Sequence, residues 1–198
     1  MKIFFYGGTF DPPHIGHKKI IEALLPRCDK MIIFPAKKSP FKKVYPIASN
    51  IHRINMLNLL FENNKVSIDN YEIISKNLNY TYLTIDYLEK KYPNCSFTMI
   101  IGKDQIASLS KWHNFSIFNK KINIICFNRV LKDEFETEEN ESENESYDSR
   151  KFENICDFNI DTSSTSIRNN IKLNNNQYLK NNLSLKVLQY IENNNLYV

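Results

Sequence analysis

The sequence predicts an α/β fold: a doubly wound parallel sheet with helices on both of its faces. Three observations lead to this prediction. Short, fully apolar strand patterns alternate with helix patterns along the chain, two of these strands end directly at a glycine, and 198 residues are enough for one domain with its own core. We therefore expect a single domain over residues 1–198, with ligands at the carboxyl ends of the strands.

The first third of the chain alternates between strand and helix. Lys2–Tyr6 is a short apolar run that ends at two glycines, which indicates a buried strand and a tight turn. Gly16–Leu25 has apolar residues at helical spacing, and Lys30–Phe34 is a second buried strand, stopped by a proline. Ser49–Phe61 is predicted to be a capped helix. Its expected inner stripe is Ile51, Ile54, Leu57 and Leu60 or Phe61.

The middle of the chain continues this alternation. Val66–Ile68 and Glu72–Ile74 are predicted to be short strands around a turn. Thr81–Lys91 is predicted to be a helix, which a proline closes. Ser96–Ile101 and Ile122–Phe127 are apolar runs typical of buried strands, and the first of them again ends at a glycine.

An acidic segment interrupts the last third of the chain. Residues 133–149 hold nine of the 22 acidic residues and no basic one, and this composition predicts a disordered insertion. After it we expect a last strand at Ile155–Phe158 and two helices, Thr162–Ile171 and Ser184–Asn193. The complete order of elements is that of a Rossmann-like protein.

Composition and charge exclude several classes of protein. No apolar run is long enough to span a membrane, the N-terminus lacks a secretory layout, and four scattered cysteines indicate reduced thiols in a cytoplasmic protein. Without the acidic insertion the chain has 26 basic and 13 acidic residues. This surplus fits either a solvated lysine-rich surface or a basic entrance to a binding site, which would concentrate an anionic ligand. Because the lysines are scattered and no aromatic platform accompanies them, nucleic acid is not an expected partner.

The first candidate site is the loop between the first strand and the first helix. Its backbone amides, with the helix dipole behind them, form an anion site, and Gly7 and Gly8 allow a phosphate to approach the main chain. His14 and His17 project to one side, where they can donate hydrogen bonds to phosphate oxygens, or one of them can bind a metal. An isolated histidine pair is more often a surface or core feature, but its place directly after a buried strand and a glycine loop favours phosphate binding.

Two further candidates follow later in the chain. A run of hydroxyl side chains from Thr162 opens a helix, and Arg168 follows one turn in. A helix cap explains one hydroxyl, whereas the whole set predicts a second anion cradle for a polyphosphate. Gly102 and Asp104 follow another strand end, where the carboxylate could hold a ribose or an adenine amine, although alone they indicate only a turn. The G-x-G-x-x-G, P-loop and G-x-S-x-G motifs are absent from the sequence.

Together these motifs resemble the nucleotidylyltransferase superfamily, whose signature is an H-x-G-H loop with a late serine- and arginine-containing motif. Here these are His14-Ile15-Gly16-His17 and Ser163-Ser164-Thr165 through Arg168. Within the superfamily the chain is most similar to the bacterial-type nicotinate-nucleotide adenylyltransferases. The matching segments cover almost the whole chain and include GGTFDPPHIGH, FPA, HRINML, IIGKDQIASLSKW, ICFNR, TSSTSIR and YIENNNLY.

The resemblance implies a Rossmann-like fold of the nucleotidylyltransferase type and a specific reaction. The adenylyl group of ATP, accompanied by Mg²⁺, would pass to nicotinate mononucleotide, giving nicotinate adenine dinucleotide (deamido-NAD) and pyrophosphate in NAD biosynthesis. ATP and the mononucleotide would be the partners in the cytoplasm, without nucleic acid or membrane, while a homo-oligomer is left open.

The resemblance also implies roles for the matching positions. His14, His17 and Arg168 would be catalytic, Trp112 would stack on the nicotinate ring, and no side chain would be a metal ligand. The implied ATP-binding residues are Gly7, Gly8, Thr9, Phe10, His14, His17, Gly102, Asp104, Arg129, Ser164, Thr165 and Arg168. The implied mononucleotide-binding residues are Gly8, Thr9, Lys42, Tyr80, Thr81 and Trp112. The ring carboxylate would meet backbone amides near Tyr80 and Thr81.

The chain departs from the family pattern at four positions and leaves alternatives open. Phe41, Ser75, Asn79 and Leu83 stand where the family has a histidine, an arginine, a serine and an aspartate. The alternatives are transfer to nicotinamide mononucleotide as well, a phosphopantetheine adenylyltransferase and, in a different class, a non-catalytic nucleotide- or RNA-binding module.

Overall fold

The computed structural model describes residues 1–38, 44–75, 80–127, 152–155 and 162–198. The acidic segment 133–149 therefore lies outside the described residues. The same holds for four of the positions singled out in the sequence, Phe41, Lys42, Asn79 and Arg129.

The described strands form one parallel sheet of six strands, in the order β3-β2-β1-β4-β5-β6. The strands are β1 (Lys2–Gly8), β2 (Lys30–Pro35), β3 (Val66–Ile68), β4 (Ser96–Gly102), β5 (Asn123–Phe127) and β6 (Phe152–Ile155). The order reverses between β1 and β4, and this switch point is where a doubly wound sheet opens a crevice at its carboxyl edge. The predicted sheet is thus confirmed.

Helices cover both faces of the sheet. They are α1 (Ile15–Leu24), α2 (Asn50–Leu60), α3 (Tyr71–Ile74), α4 (Thr81–Lys91), α5 (Ile106–Leu109), α6 (Phe115–Phe118), α7 (Ser164–Lys172), α8 (Asn176–Asn182) and α9 (Leu185–Asn193). None of these described helices has the length and apolar character needed to cross a membrane.

Alternating side chains of the strands supply two separate cores, one on each face. On one face Ile3 and Phe5 of β1 are buried with Ile85 and Leu88 of α4. On the other face residues of the same strand, Phe4 among them, are buried with the apolar side of α1. This period of two is what a strand covered on both faces requires. A third cluster joins α2 to α7, α8 and α9.

The predicted inner stripe of α2 is wrong at its first position. Ile51 is 70% exposed, whereas Arg53 is 0% exposed and Met56, Leu57 and Leu60 are buried with it. The helix is turned so that the Arg53 guanidinium points towards the loop after β1, where its Nη1 donates to the Thr9 carbonyl oxygen at 2.6 Å. The inward face of α2 therefore includes the hydrogen-bonded Arg53 side chain, which apolar periodicity alone does not predict.

The predicted strand at Glu72–Ile74 is also wrong, because this segment belongs to the short helix α3. The Asp69 carboxylate accepts a hydrogen bond from the Tyr71 amide at 3.0 Å. A local side-chain acceptor of this kind turns the backbone away from a ladder and starts a helical turn. The pattern of a short apolar segment does not distinguish a strand from a single helical turn.

Two differences concern the last third of the chain. The final strand is Phe152–Ile155, so it shares only Ile155 with the predicted segment, whose other residues are not among those described. Pairing with β5 explains its position, because Phe152 lies opposite Ile124 and Ile155 opposite Phe127. Helix α8 was not predicted, since its sequence NQYLKNN is rich in asparagine, a weak helix former.

The orientation of α2 can be tested by comparing Met56→Ala with Ile51→Ala. Met56→Ala should lower the free energy of unfolding by about 2–5 kcal/mol, because it opens a cavity in the core. Ile51→Ala should change it by less than about 0.5 kcal/mol, as expected for an exposed position. Urea denaturation followed by circular dichroism measures both, and equal losses would contradict the observed inward face.

Candidate active site

The carboxyl ends of β1 and β4 open into a cleft of about 970 Å³. Every predicted site residue that the structure describes lines it. These residues are Gly7, Gly8, Thr9, Phe10, His14, His17, Tyr80, Thr81, Gly102, Asp104, Trp112, Ser164, Thr165 and Arg168. The three candidates of the sequence are therefore parts of one site.

The loop after β1 is shaped by a buried phenylalanine. Phe10 has a φ of 49°, and its ring packs edge-on against Tyr6 and His17 with centroid distances of 5.5 and 4.9 Å. A Cβ atom on Gly8 would lie only 3.0 Å from this ring, whereas one on Gly7 would meet nothing within 4 Å. Gly8 is thus required for packing, and open space for a ligand exists beside Gly7.

The two histidines of the H-x-G-H motif pack against each other at the start of α1, with their ring planes tilted by 33°. Their ring centroids are 3.7 Å apart, and both side chains are buried. The backbone N–H of His14 donates to Nδ1 of His17 at 3.2 Å. Because Nδ1 accepts this bond, the proton of the neutral His17 ring resides on Nε2, which makes Nε2–H the donor of the ring.

The start of α7 forms the opposite wall of the cleft. The Ser163 hydroxyl caps the helix by accepting from the Ser166 amide at 3.0 Å, and Ser164 Oγ donates to the Pro12 carbonyl at 2.9 Å. Arg168 Nη1 donates to the Asp11 carbonyl at 2.6 Å, which fixes the guanidinium beside the loop of the histidines. The predicted hydroxyl cradle therefore also ties the two walls together.

Beyond β4 the chain folds tightly over the strand end. A Cβ atom on Gly102 would displace the Asp104 carboxylate from its observed position. Gln105 Nε2 donates to Asp104 Oδ2 at 2.6 Å and orients the carboxylate. An acceptor is thus held at the carboxyl edge of the central strands.

Aromatic side chains form the other end of the cleft, at the start of α4. Tyr80 stacks on His113 with ring centroids 4.8 Å apart, and Trp112 is half-buried against the core. Thr81 is the first residue of α4, so its backbone amide belongs to a helix N-terminus. This end can hold a flat ring and an anionic group.

Four side chains that belong to the site or support it were missed in the sequence. The first is Asp11, which is 4% exposed. Its carboxylate accepts hydrogen bonds from the backbone amides of Ile47 and Ala48 at 2.7 and 3.0 Å, and from the Tyr197 hydroxyl at 2.8 Å. Tyr197, near the chain's end, is therefore the second. Burial and the adjacent Asp11 raise the pKa of Tyr197, so it stays a donor.

The third side chain that was missed in the sequence is Arg53. Burial lowers the pKa of its guanidinium, and the charge of Asp11 opposes that shift. The fourth is Glu72, whose Oε1 accepts a hydrogen bond from Thr84 Oγ1 at 2.8 Å. Burial, aided by the charge of Asp69 and opposed by the Thr84 hydrogen bond, raises the pKa of Glu72 to about 7. The sequence contains no signal that these side chains are buried.

Two of the family departures fall among the described residues, and neither lines the cleft. Ser75 follows α3, and Leu83 lies in α4 on a part of the helix away from the cleft wall. The substitutions at these positions therefore leave the described wall of the site unchanged.

Comparison with known proteins agrees with this geometry. Residues 5–170 match the family model described as cytidylyltransferase-like. A protein of Aliarcobacter butzleri named "Probable nicotinate-nucleotide adenylyltransferase" is 32% identical over 176 residues, which cover 86% of this chain and 88% of that protein. One of the same name from Clostridium perfringens is 35% identical over 182 residues, which cover 86% of each chain.

Solved structures share the fold. The Plasmodium falciparum nicotinic acid mononucleotide adenylyltransferase complexed with NaAD superposes with a TM-score of 0.78 at 21% identity, covering 99% of this chain and 97% of that one. The same enzyme complexed with APC gives a TM-score of 0.77 at 20% identity, covering 99% of this chain and 96% of that one.

The tie between Tyr197 and Asp11 can be tested with Tyr197→Phe. Loss of a hydrogen bond to a buried charged group should lower the free energy of unfolding by about 1.5–3 kcal/mol. Tyr92→Phe is the matched control, because the Tyr92 ring also packs against the core, while its hydroxyl has no hydrogen bond to any of the described residues. Urea denaturation measures both, and a Tyr197→Phe protein as stable as the control would contradict the role of this bond.

Proposed function

This chain belongs to the nicotinate-nucleotide adenylyltransferases within the cytidylyltransferase-like family, and from this premise we propose its reaction. It transfers the adenylyl group of ATP to nicotinate mononucleotide, giving nicotinate adenine dinucleotide and pyrophosphate in NAD biosynthesis. One observation carries the proposal. A single cleft joins the starts of α1 and α7, which bind phosphate in this proposal, to an aromatic end at the start of α4. Phosphopantetheine offers no ring for that aromatic end.

The reaction proceeds by direct in-line displacement. An oxygen of the mononucleotide 5′-phosphate attacks the α-phosphorus of ATP, and the bond to the bridging oxygen breaks as pyrophosphate leaves. Such a transfer needs positioning and charge neutralisation rather than a covalent nucleophile. In agreement, none of the described cysteines lines the cleft, and the Ser164 hydroxyl donates to the Pro12 carbonyl.

The histidine loop and α7 neutralise the triphosphate. His17 Nε2–H and His14 lie at one wall, and Arg168 lies at the other, held by the Asp11 carbonyl. These donors are fixed before substrate binds, which is the condition under which donors stabilise developing charge most strongly. Ser164 and Thr165 add the first amides of α7, which favour the departing pyrophosphate.

The two nucleosides occupy the remaining parts of the cleft. Gly102 and the oriented carboxylate of Asp104 bind the adenosine. Trp112 stacks on the nicotinate ring, whose carboxylate meets the backbone amides at the start of α4. A helix N-terminus favours an anion over a neutral amide, so this arrangement supports preference for the acid substrate.

Magnesium enters with ATP in this proposal. Across the residues that the structure describes, no three His, Cys, Asp or Glu side chains group closely enough to hold a metal ion. Mg²⁺ keeps several waters and binds substrate phosphates readily, so the triphosphate itself supplies its ligands. When bound, it offsets the charge that develops on the pyrophosphate. We further propose a cytoplasmic location, with small molecules rather than nucleic acid or membrane as partners.

His14→Ala is the most direct test of the site. Loss of a preorganised donor should lower kcat by about 10²–10³-fold in protein that is still folded, as measured by pyrophosphate release with Mg-ATP and nicotinate mononucleotide. His52→Gln is the control, because His52 contacts Tyr190 of α9 and lies outside the cleft. Near wild-type turnover in His14→Ala would refute the proposed role, provided that His52→Gln is fully active.

A further inference from the structure

Glu72 is a carboxyl in the wall of the cleft that the proposed chemistry does not use. It is only 8% exposed, yet it lines the cleft together with Tyr80, Thr81 and Thr84. Its position is fixed, because Thr84 Oγ1 donates to Glu72 Oε1 at 2.8 Å. A fixed, ionisable group in a substrate cleft must affect which ligand charges the cleft accepts.

In the proposed binding mode the ring carboxylate of an acid substrate lies at the start of α4, which is close to Glu72. Thr84 lies one turn after Thr81 on α4, and side chains three positions apart share one face of a helix. The carboxyl that Thr84 holds is thus about one helical turn from the amides at the start of α4. Two carboxylates at this separation inside a cleft repel each other.

We propose that Glu72 is a specificity-determining residue that admits the acid mononucleotide only in its own neutral form, so that binding of the acid is coupled to uptake of one proton. This inference rests on the proposed function. The proton comes from solvent and binds the Glu72 carboxyl, whose Oε1 still accepts from Thr84. A neutral amide ring meets no such repulsion and takes up no proton at this site.

The free protein is poised for this coupling near neutral pH. Burial and the charge of Asp69 raise the pKa of Glu72 to about 7, so neutral and ionised forms coexist there. Asp69 itself is held by Lys91 at 2.8 Å and by the Tyr87 hydroxyl at 3.0 Å. Tyr71 faces this region as well, and the other titratable groups among the described residues that line the cleft are Tyr6, Asp11, His14, His17, Tyr45, Tyr80, Asp104, Lys111, His113 and Arg168.

The pKa of Glu72, which is about 7, determines the direction of the pH dependence. Below pH 7 Glu72 is largely neutral and affinity for the acid is at its plateau. As the pH rises through 7 the neutral fraction falls, so the apparent Kd for the acid should rise about tenfold between about pH 6.5 and about pH 8. The amide has the same titrating 5′-phosphate and therefore reports any pH dependence that the two ligands share.

Glu72→Gln isolates the ionisation from the packing. The glutamine carbonyl can still accept from Thr84, but it cannot ionise, and all other titratable groups of the cleft are unchanged. Kd values are measured by quenching of Trp112, the only tryptophan of the chain. In this variant we expect the acid to follow the same pH profile as the amide and, at about pH 8, to bind more tightly than in the wild type. Glu62→Gln, at an exposed residue paired with Lys186, should behave as the wild type.

Calorimetry in two buffers of different ionisation enthalpy measures the proton directly. The wild type should take up about half a proton more per nicotinate mononucleotide near pH 7 than Glu72→Gln does. Thr84→Val provides a second variant that keeps the ionisable group. Because the Thr84 hydrogen bond lowers the pKa of Glu72, its loss should move the midpoint of the wild-type profile to higher pH.

The outcomes separate this inference from the proposed function. A wild-type pH profile or undiminished proton uptake in Glu72→Gln would overturn the inference, as would weaker binding of the acid at every pH. In each case wild-type pyrophosphate release with nicotinate mononucleotide would still support the proposed function. If the wild type neither binds nor uses that mononucleotide, the proposed function itself fails.

Discussion

The active-site loop depends on a buried aspartate, Asp11, that three distant segments of the chain bind. Asp11 accepts hydrogen bonds from the backbone before α2 and from Tyr197, which lie 36 and 186 residues along the chain, respectively. Its carbonyl also accepts from Arg168, 157 residues away. A buried charge is tolerated only when donors surround it. The bonds that satisfy Asp11 therefore also fix the histidine loop, the start of α7 and the end of the chain relative to one another.

The place of the cleft follows from the sheet. Because β1 and β4 are neighbours and their crossovers run to opposite sides, both strands end at the same opening. The loop of β1 brings the histidines, and the turn after β4 brings Asp104 and Trp112. Helices α1 and α7 then direct two N-termini at one cavity, which suits a reaction between two phosphate-bearing substrates, and α4 directs a third at its aromatic end.

The features encoded in contiguous sequence were predictable, and those created by tertiary contact were not. Apolar runs ending at glycine identified the central strands, and the H-x-G-H and serine–arginine motifs identified two walls of the cleft, which we propose bind phosphate. The inward face of α2 and the roles of Asp11, Glu72 and Arg53 could not be predicted in this way. Each depends on a partner in another element, and the pattern around an aspartate or arginine does not tell a buried hydrogen-bonded group from a solvated one.

The central claim is adenylyl transfer to the acid mononucleotide, and pyrophosphate release by the wild-type protein tests it most directly. Mg-ATP is supplied with nicotinate mononucleotide, nicotinamide mononucleotide or phosphopantetheine in parallel reactions. The account predicts rapid release with the nicotinate acid, formation of nicotinate adenine dinucleotide in equal amount, weaker use of the amide and none of phosphopantetheine. Absence of release with the acid, or a preference for phosphopantetheine, would contradict it.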